Sequence, residues 1–200
     1  MKRLLVIIAL LFSISTNSFS VTYNSNPKIF VDELMNDAVN TLSDKSLTEQ
    51  DKTKFIEKVA LENVDIAALG MYTLGDIRKT LEPEVLDKYK TLFEKYFLKN
   101  LTSRLKDYSS NKFEVIGAEL KSSSYTIVQS KITESSDQPE IKIDWRVYTK
   151  NPEKPLIRDL IVEGLSLART QKEEFASILS SNNNEIQKLI IKLDEFVNKK

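Results

Sequence analysis

Apolar residues recur at steps of three and four along residues 83–108, with charged side chains between them. This spacing places the apolar residues in one stripe of an α-helix and the charged residues on the opposite face. Pro83 suits the first helical position, where its missing N–H has no intrahelical partner to lose. Because five stripe residues are aromatic, we expect a large apolar core beneath this helix. The stripe consists of Val85, Leu86, Tyr89, Leu92, Phe93, Tyr96, Phe97, Leu101, Leu105 and Tyr108.

Shorter helical patterns precede and follow this helix. Ser46 and Glu49 have the capping-box spacing, which predicts a helix that begins at Leu47 and ends near Asn63. Apolar periodicity predicts four more helices. They are one beginning at Pro27, one over residues 65–71, one carrying Phe175 and Ile178, and one over residues 186–197.

Alternating apolar and polar residues predict four strands, at about 113–119, 125–132, 141–149 and 156–163. The links between them are short and polar, which favours an antiparallel meander. In the third strand Ile143, Trp145 and Val147 share one face. In the fourth strand, alternation predicts Ile157 and Ile161 on one face, and Leu160 and Val162 on the other.

Helices, then strands, then helices is an α+β order. We expect a curved four-stranded antiparallel sheet with N-terminal and C-terminal helices against its concave face. Ligand pockets in proteins are concave and mostly apolar, so the space between sheet and helices is the natural ligand site.

The first twenty residues are typical of a secretory signal peptide. Lys2 and Arg3 form a positive start, an apolar run follows, and Ser18-Phe19-Ser20 resembles a cleavage site before Val21. The run is too short for a permanent membrane span. We therefore expect residues 1–20 to be a signal peptide, residues 21–200 to form a single domain, and the mature protein to be exported.

Composition excludes several classes of site. The chain has no Cys and no His, which excludes disulfides, Ser-His or Cys-His catalytic pairs and ordinary zinc sites. Lys plus Arg equals Asp plus Glu at 29 each, so nothing in the net charge indicates nucleic acid. An enzyme would depend on carboxylates, Lys or Tyr, and we expect neither catalysis nor a metal cofactor.

Several segments together resemble the MlaC family of periplasmic phospholipid-binding proteins, also described as toluene-tolerance proteins. The strongest is Val162-Glu163-Gly164-Leu165-Ser166-Leu167-Ala168-Arg169-Thr170-Gln171-Lys172, followed by Glu174-Phe175-Ala176-Ser177-Ile178. Others are Ile143-Asp144-Trp145-Arg146-Val147, Leu92-Phe93-Glu94-Lys95-Tyr96 and Phe113-Glu114-Val115. The resemblance extends over about residues 27–197.

The resemblance implies a fold related to the nuclear-transport-factor cone, with an apolar pocket that holds the acyl chains of phospholipid. It also implies a soluble carrier in the Gram-negative periplasm that maintains the lipid asymmetry of the outer membrane. Its expected partners are phospholipid, the outer-membrane MlaA lipoprotein with its porin, and an inner-membrane ABC transporter bearing MlaD.

On this basis we predict which side chains contact lipid. One wall of the pocket comes from the long helix, the opposite wall from the sheet, and one end from the C-terminal segment. The predicted lipid-binding residues are Phe93, Tyr96, Phe97 and Leu101, then Ile127, Ile143, Trp145, Val147 and Ile161, then Leu165, Phe175 and Ile178.

Two alternatives remain open at this stage. The first is a periplasmic module that binds protein or peptide in an apolar groove. The second is an enzyme, because related cone folds include isomerases and dehydratases. Its only candidate residues are Asp144 or Asp159 beside Tyr125 or Tyr148, and structural ion pairs with Arg146 and Arg158 are the simpler interpretation of these carboxylates.

Overall fold

The computed structural model describes residues 22–105, 112–133 and 140–199, and the predicted signal peptide lies outside them. The predicted α+β class with a curved antiparallel sheet is confirmed. The helices are α1 (Pro27–Ser43), α2 (Glu49–Asn63), α3 (Ile66–Thr73), α4 (Pro83–Leu105), α5 (Leu167–Ser180) and α6 (Ile186–Asn198), with a 3₁₀ turn at Gly75–Lys79. The strands are β1 (Lys112–Ser122), β2 (Tyr125–Thr133), β3 (Ile141–Tyr148), β4 (Leu156–Val162) and β5 (Leu165–Ser166). None of the helices in the described ranges combines the length and the apolarity needed to cross a membrane.

The first two helices begin at side-chain caps. Asn26 accepts hydrogen bonds from the backbone N–H groups of Lys28 and Ile29 at 3.0 and 3.3 Å, which confirms the predicted start at Pro27. The predicted start of α2 at Leu47 is wrong. The Ser46 hydroxyl donates instead to Asp44 at 2.7 Å, and Thr48 becomes the N-cap residue.

The five strands pair in sequence order, and every pair is antiparallel, so the predicted meander is confirmed. Where we predicted four strands, the chain adds β5. Glu163 and Gly164 have φ angles of 48° and 81°, which suits a two-residue turn that requires the left-handed region twice. Gly164 therefore turns the chain back along β4, with which Leu165 and Ser166 pair.

A bulge at Arg158 changes the faces of β4. Val147 is opposite Ile157 and Arg146 is opposite Asp159, so Arg158 is an extra residue between them. Ile157, Leu160 and Val162 consequently share one face, whereas Ile161 lies on the other. The prediction that Ile157 and Ile161 share a face was wrong, because simple alternation does not anticipate the inserted residue.

Buried apolar residues form two clusters. The first, called the inner-face cluster, lies between α1, α2 and the sheet face that carries Trp145. Its buried members are Phe30, Val31, Leu34, Val59, Val128, Ile132, Ile143, Trp145, Val147 and Ile157. The second, called the helical cluster, contains Ile66, Leu74, Tyr89, Leu92, Phe93, Phe175, Leu179, Leu189, Ile190 and Leu193.

The apolar stripe predicted for the long helix faces the helical cluster. Described residues of α4 end at Leu105, so the last predicted turn lies outside them. The C-terminal helices α5 and α6 pack with α3 and α4, because together they cover the aromatic stripe. The layer over the inner face comes from the N-terminal helices α1 and α2.

Candidate functional site

The inner face of the sheet is an apolar surface that spans several strands. Register places Val128, Trp145 and Leu160 side by side, and alternation along each strand brings neighbours two residues away to the same face. Val128 and Val147 are fully buried, and Trp145 is 5 % exposed. Side chains of α1 cover this surface: Phe30, Val31 and Leu34. The site therefore consists of a sheet floor and a helical cover.

Trp145 is held in one orientation by a buried serine. Its Nε1 donates to Ser130 Oγ at 2.8 Å, and the Ser130 hydroxyl donates to the Ile143 carbonyl at 3.0 Å. Ser130 is 1 % exposed, and both of its hydrogen bonds are made inside the cluster. Because a buried polar group without a partner is unfavourable, this pair fixes the indole against β2. The indole gives the floor a large, rigid apolar plate.

The inner face becomes more exposed towards β4 and β5. Ile143 is 8 % exposed, its neighbour Val162 is half-buried, and Leu165, opposite Val162, is 69 % exposed. Leu160 is also half-buried against the cluster. Apolar surface thus continues from the buried floor to the molecular surface along this edge.

The helical cluster is closely packed by its own side chains. The Phe93 ring lies 5.8 Å from Tyr89 and 6.3 Å from Phe175, centroid to centroid. A Cβ placed on Gly70 would be 2.8 Å from Phe93 Cδ1, so α3 and α4 meet where only glycine fits. Burial raises the pKa of Tyr89 and Tyr96 above the ordinary value, which keeps both phenols neutral.

The predicted lipid-binding residues lie in three regions. The inner face brings together Ile143, Trp145 and Val147, with Leu165 at its exposed edge. The helical cluster and its border contain Phe93, Tyr96, Phe97, Phe175 and Ile178. Ile127 and Ile161 point to the outer face of the sheet, and Leu101 is half-buried on α4 outside both clusters. The two predicted walls therefore belong to separate clusters, and lipid contact by each residue stays a prediction.

Asp159, one of the two candidate catalytic carboxylates, is engaged in structural bonds. Asp159 is 4 % exposed, and it accepts hydrogen bonds from Ser166 Oγ at 2.6 Å and from the Ala168 amide at 3.0 Å. Arg146 Nη1 lies 3.5 Å from the same carboxylate. These contacts tie β4 to the start of α5. Within the described ranges, no group of three or more His, Cys, Asp or Glu side chains is arranged to hold a metal ion.

A polar junction joins the two clusters. Asp65, which caps α3, forms an ion pair of 2.7 Å with Arg158 in the bulge of β4. The Arg158 guanidinium also lies 3.5 Å from the centroid of the Tyr148 ring and donates to Tyr125 OH at 2.9 Å. Val64 packs against both clusters. The junction fixes the helical cluster against one edge of the sheet.

Comparison with known proteins gives the family. The family model described as MlaC protein matches residues 32–195, most of the chain. The chain belongs to the MlaC family. The resemblance inferred from the sequence segments is thereby confirmed.

A solved structure with this fold is described as a phospholipid-binding protein from Ralstonia solanacearum in complex with a phospholipid, at 1.53 Å. The similarity has a TM-score of 0.68 at 18 % sequence identity and covers 84 % of this MlaC-family chain and 94 % of the other. At this identity the likeness establishes the fold alone. No protein with a curated description matches by sequence.

Sequence reasoning missed several inner-face residues of this MlaC-family chain. They are Val128, Ser130, Ile132, Leu160 and Val162. For the first three, the available signal was alternation along β2, which puts residues 126, 128, 130 and 132 on one face. In the structure all four are buried. Ser130 interrupts the apolar pattern, however, and Ile127 on the other face is the more apolar choice beside it. Leu160 and Val162 were missed because the bulge in β4 breaks the simple alternation from which their face was predicted.

A small cavity of about 170 Å³ opens between α3 and α4, lined by Ile66, Ala67, Gly70, Lys90, Thr91 and Glu94. Pockets for drug-sized ligands are about 300–1,000 Å³, so this cavity is too small for the acyl chains of a phospholipid. Its lining is also partly charged. The inner face is the better candidate for an apolar ligand.

Proposed function

We propose that this MlaC-family protein is a soluble phospholipid carrier that holds acyl chains against the inner face of its sheet. The observation that carries the proposal is the continuous apolar surface from buried Trp145 and Ile143 through Val162 to exposed Leu165. Family membership supports it, and so does the fold shared with a phospholipid-binding protein that was solved with a phospholipid bound.

Hydrocarbon burial explains why a carrier is needed. Two acyl chains of ordinary length hold roughly 30 methylenes, and each contributes about 0.8 kcal/mol on leaving water. On the order of 24 kcal/mol therefore opposes the passage of free lipid through water. A protein that covers both chains removes this barrier, while the charged headgroup stays in solvent.

The sheet supplies the rigid side of the site, and the helices supply the movable side. The floor is fixed by backbone pairing and by the hydrogen bond from Trp145 to Ser130. The cover consists of α1 and α2, which meet the floor through side-chain packing. Admission of chains requires this cover to move outward, because Phe30 and Val31 now fill the space above the floor.

The proposal includes a place and partners. The signal-like residues 1–20 support export, and the location that we propose for the carrier is the periplasm. There it takes phospholipid from or gives it to the outer-membrane MlaA complex and the inner-membrane complex that bears MlaD, and so maintains outer-membrane asymmetry. A carrier needs no catalytic residue, and the engagement of Asp159 in helix capping agrees with this role.

Native mass spectrometry of residues 21–200, followed by solvent extraction, tests the proposal. We expect mass increments equal to whole phospholipids, which denaturation removes. A chain that stays free of lipid after incubation with phospholipid would contradict the carrier function and favour a protein-binding module.

The position of the lipid can be tested with the single tryptophan. Phospholipid with brominated acyl chains should quench Trp145 emission, because bromine quenches at short range and the indole lies in the floor. The variant Trp145→Phe/Tyr96→Trp places the reporter in the helical cluster instead. Strong quenching there, with little at Trp145, would contradict the assignment of the chains to the inner face.

A further inference from the structure

Apolar side chains are exposed where β5 leads into α5. Leu165 is 69 % exposed and Leu167 46 % exposed, and they are separated by Ser166 alone. Tyr72 of α3, 44 % exposed, lies beside α5 with its ring 5.0 Å from Lys172 Nζ. A single exposed leucine is ordinary, but a group of large apolar side chains marks an interaction surface. We call this surface the β5–α5 edge, defined by Tyr72, Leu165, Leu167, Arg169 and Lys172.

The surroundings of the β5–α5 edge are positively charged. Asp76 pairs with Lys79 at 2.7 Å, and Glu173 pairs with Arg169 at 2.9 Å. Lys172, which packs against Gly75, and Arg78 add charge beyond these pairs. On the far side of the turn, the Glu163 carboxylate accepts from the Lys142 backbone amide, so Lys142 is a further cationic residue beside this edge. The local cations are Arg78, Lys79, Lys142, Arg169 and Lys172, and the local carboxylates are Asp76, Glu163, Glu173 and Glu174. Cations therefore exceed carboxylates by one here, although the whole chain has a formal net charge of +0.

The β5–α5 edge is continuous with the inner face. Leu165 is opposite Val162, and Val162 is opposite Ile143 in the floor. Exposure rises along this row from 8 % at Ile143 to 69 % at Leu165. A partner that binds the β5–α5 edge therefore lies at the open end of the apolar inner face.

We propose that the β5–α5 edge docks on an anionic phospholipid bilayer, with Leu165 and Leu167 in the headgroup region and the cations facing lipid phosphates. Protruding apolar side chains beside Lys and Arg are the combination that binds membrane interfaces. Leu165 follows a tight turn and is mostly exposed, so it protrudes without lining a groove, and a bilayer accepts such a side chain without a matching shape. The purpose of the contact rests on the proposed carrier function, because docking here brings the open end of the inner face to a membrane.

Vesicle flotation of the mature protein tests the docking. The probes are vesicles of phosphatidylglycerol and phosphatidylcholine in equal parts, and vesicles of phosphatidylcholine alone. We expect binding to the anionic vesicles, and about tenfold weaker binding for Leu165→Ser/Leu167→Ser, since each leucine would lose the burial of its apolar surface. The matched control is Ile116→Ser/Leu120→Ser on β1, where both side chains are also exposed, at 55 % and 71 %. Its binding should equal that of the wild type.

The charge is tested in the same way. Arg169→Gln/Lys172→Gln should weaken binding and flatten its dependence on salt, whereas Lys88→Gln/Lys95→Gln on the exposed face of α4 should leave both unchanged. Equal losses in the two pairs would overturn the proposal, because binding would then follow total charge.

Absence of binding to either vesicle would also overturn the proposal and would favour a protein partner for this edge. The carrier function is measured separately, through the lipid content of the same preparations. A lipid-loaded protein that ignores vesicles contradicts the docking alone, and a lipid-free protein that binds them contradicts the carrier function alone.

Discussion

The two apolar clusters differ in the elements that enclose them. The helical cluster is enclosed by α3, α4, α5 and α6, and its aromatic rings fill the space up to the backbone at Gly70. The inner-face cluster has a fixed sheet on one side and two helices on the other, and half-buried residues border it at β4. Close packing resists any change of volume, so the two layers of the inner-face cluster can separate most easily from its half-buried border at β4. We infer that the helical cluster maintains shape and that the inner-face cluster admits the ligand.

The polar junction determines which of the two clusters is fixed to the sheet. Val64 bridges to Ile157, and Asp65 pairs with Arg158, so the helical cluster is fastened to the sheet at β4. The cover over the floor comes from α1 and α2, which precede that fastening point in the chain. We infer that the cover moves outward while this fastening stays in place, and that the contacts of α2 with α4 and of α1 with β1 and β2 then separate.

Phe93→Ala should have the largest effect on stability and little effect on lipid. Phe93 is 3 % exposed and contacts the rings of Tyr89, Tyr96, Phe97 and Phe175. Removal of a buried phenylalanine costs about 3–5 kcal/mol of unfolding free energy. We expect this loss in urea unfolding, with the same lipid content per folded molecule by native mass spectrometry.

A matched change in the other cluster sharpens the test. Val128→Phe adds volume above the floor beside Trp145 and should lower the lipid content while the protein still folds. If Phe93→Ala lost its lipid and Val128→Phe retained it, the assignment of roles to the two clusters would be reversed.

Ser130→Ala should have an intermediate effect, confined to the inner face. It leaves Trp145 Nε1 and the Ile143 carbonyl without their buried partner, which costs about 1–3 kcal/mol. Because the indole is then free to reorient, we also expect a shift in tryptophan emission and a change in lipid affinity. Ser122→Ala, at an exposed end of β1, is the control and should change neither. An unshifted emission spectrum in Ser130→Ala would show that packing alone orients the indole.

The order of elements and their types could be predicted from the sequence, because hydrophobic periodicity sets them directly. The start of α1, the stripe of α4 and the meander all follow from local patterns. Three features did not follow. A bulge at Arg158 reversed the faces of β4, a two-residue turn at Gly164 added β5, and the true cap of α2 is Thr48. Each depends on contacts or backbone angles that periodicity does not record.

The candidate site was predicted only in part, for a related reason. Trp145 and its strand neighbours were found because alternation in β3 is regular. The aromatic residues of α4 were assigned to the same pocket, since the sequence shows an apolar stripe but not which surface meets it. In the structure α5 and α6 meet that stripe, and α1 meets the sheet.

Tyr89→Phe should have a smaller effect that depends on pH. The phenol oxygen lies 2.8 Å from Thr73 Oγ1, and its O–H donates to the Gly70 carbonyl at 3.2 Å, so its loss costs about 0.5–1.5 kcal/mol near neutral pH. Burial raises the pKa of Tyr89 in the folded protein. A raised pKa means that this stabilisation is complete below the unfolded value of about 10 and is lost as pH rises above it.

Alkaline pH tests a phenol in each cluster, because burial also raises the pKa of Tyr23, which packs against the inner-face cluster. The wild type should lose unfolding free energy above pH 10 by up to about 1.4 kcal/mol per pH unit for Tyr89, and Tyr89→Phe should lose less. Tyr23→Phe is the comparison in the inner-face cluster, and it should also lose less than the wild type. An identical alkaline slope in the wild type and Tyr89→Phe would show that this phenol does not control the helical cluster at high pH.

Lys99→Met should have the smallest effect, at the far end of the helical cluster. Lys99 Nζ donates to the carbonyl oxygens of Phe196 and Val197 at 3.0 Å each, and to that of Lys199, and so caps the end of α6. A cation at a helix C-terminus contributes about 0.3–1 kcal/mol. We expect a melting temperature lower by about 1–4 °C, a difference that shrinks in high salt.

Lys95→Met, one turn earlier on the exposed face of α4, should not change the melting temperature. Because the cap lies away from the inner face, Trp145 emission and lipid content should stay at wild-type values, and a change in either would show that the end of α6 is coupled to the inner-face cluster.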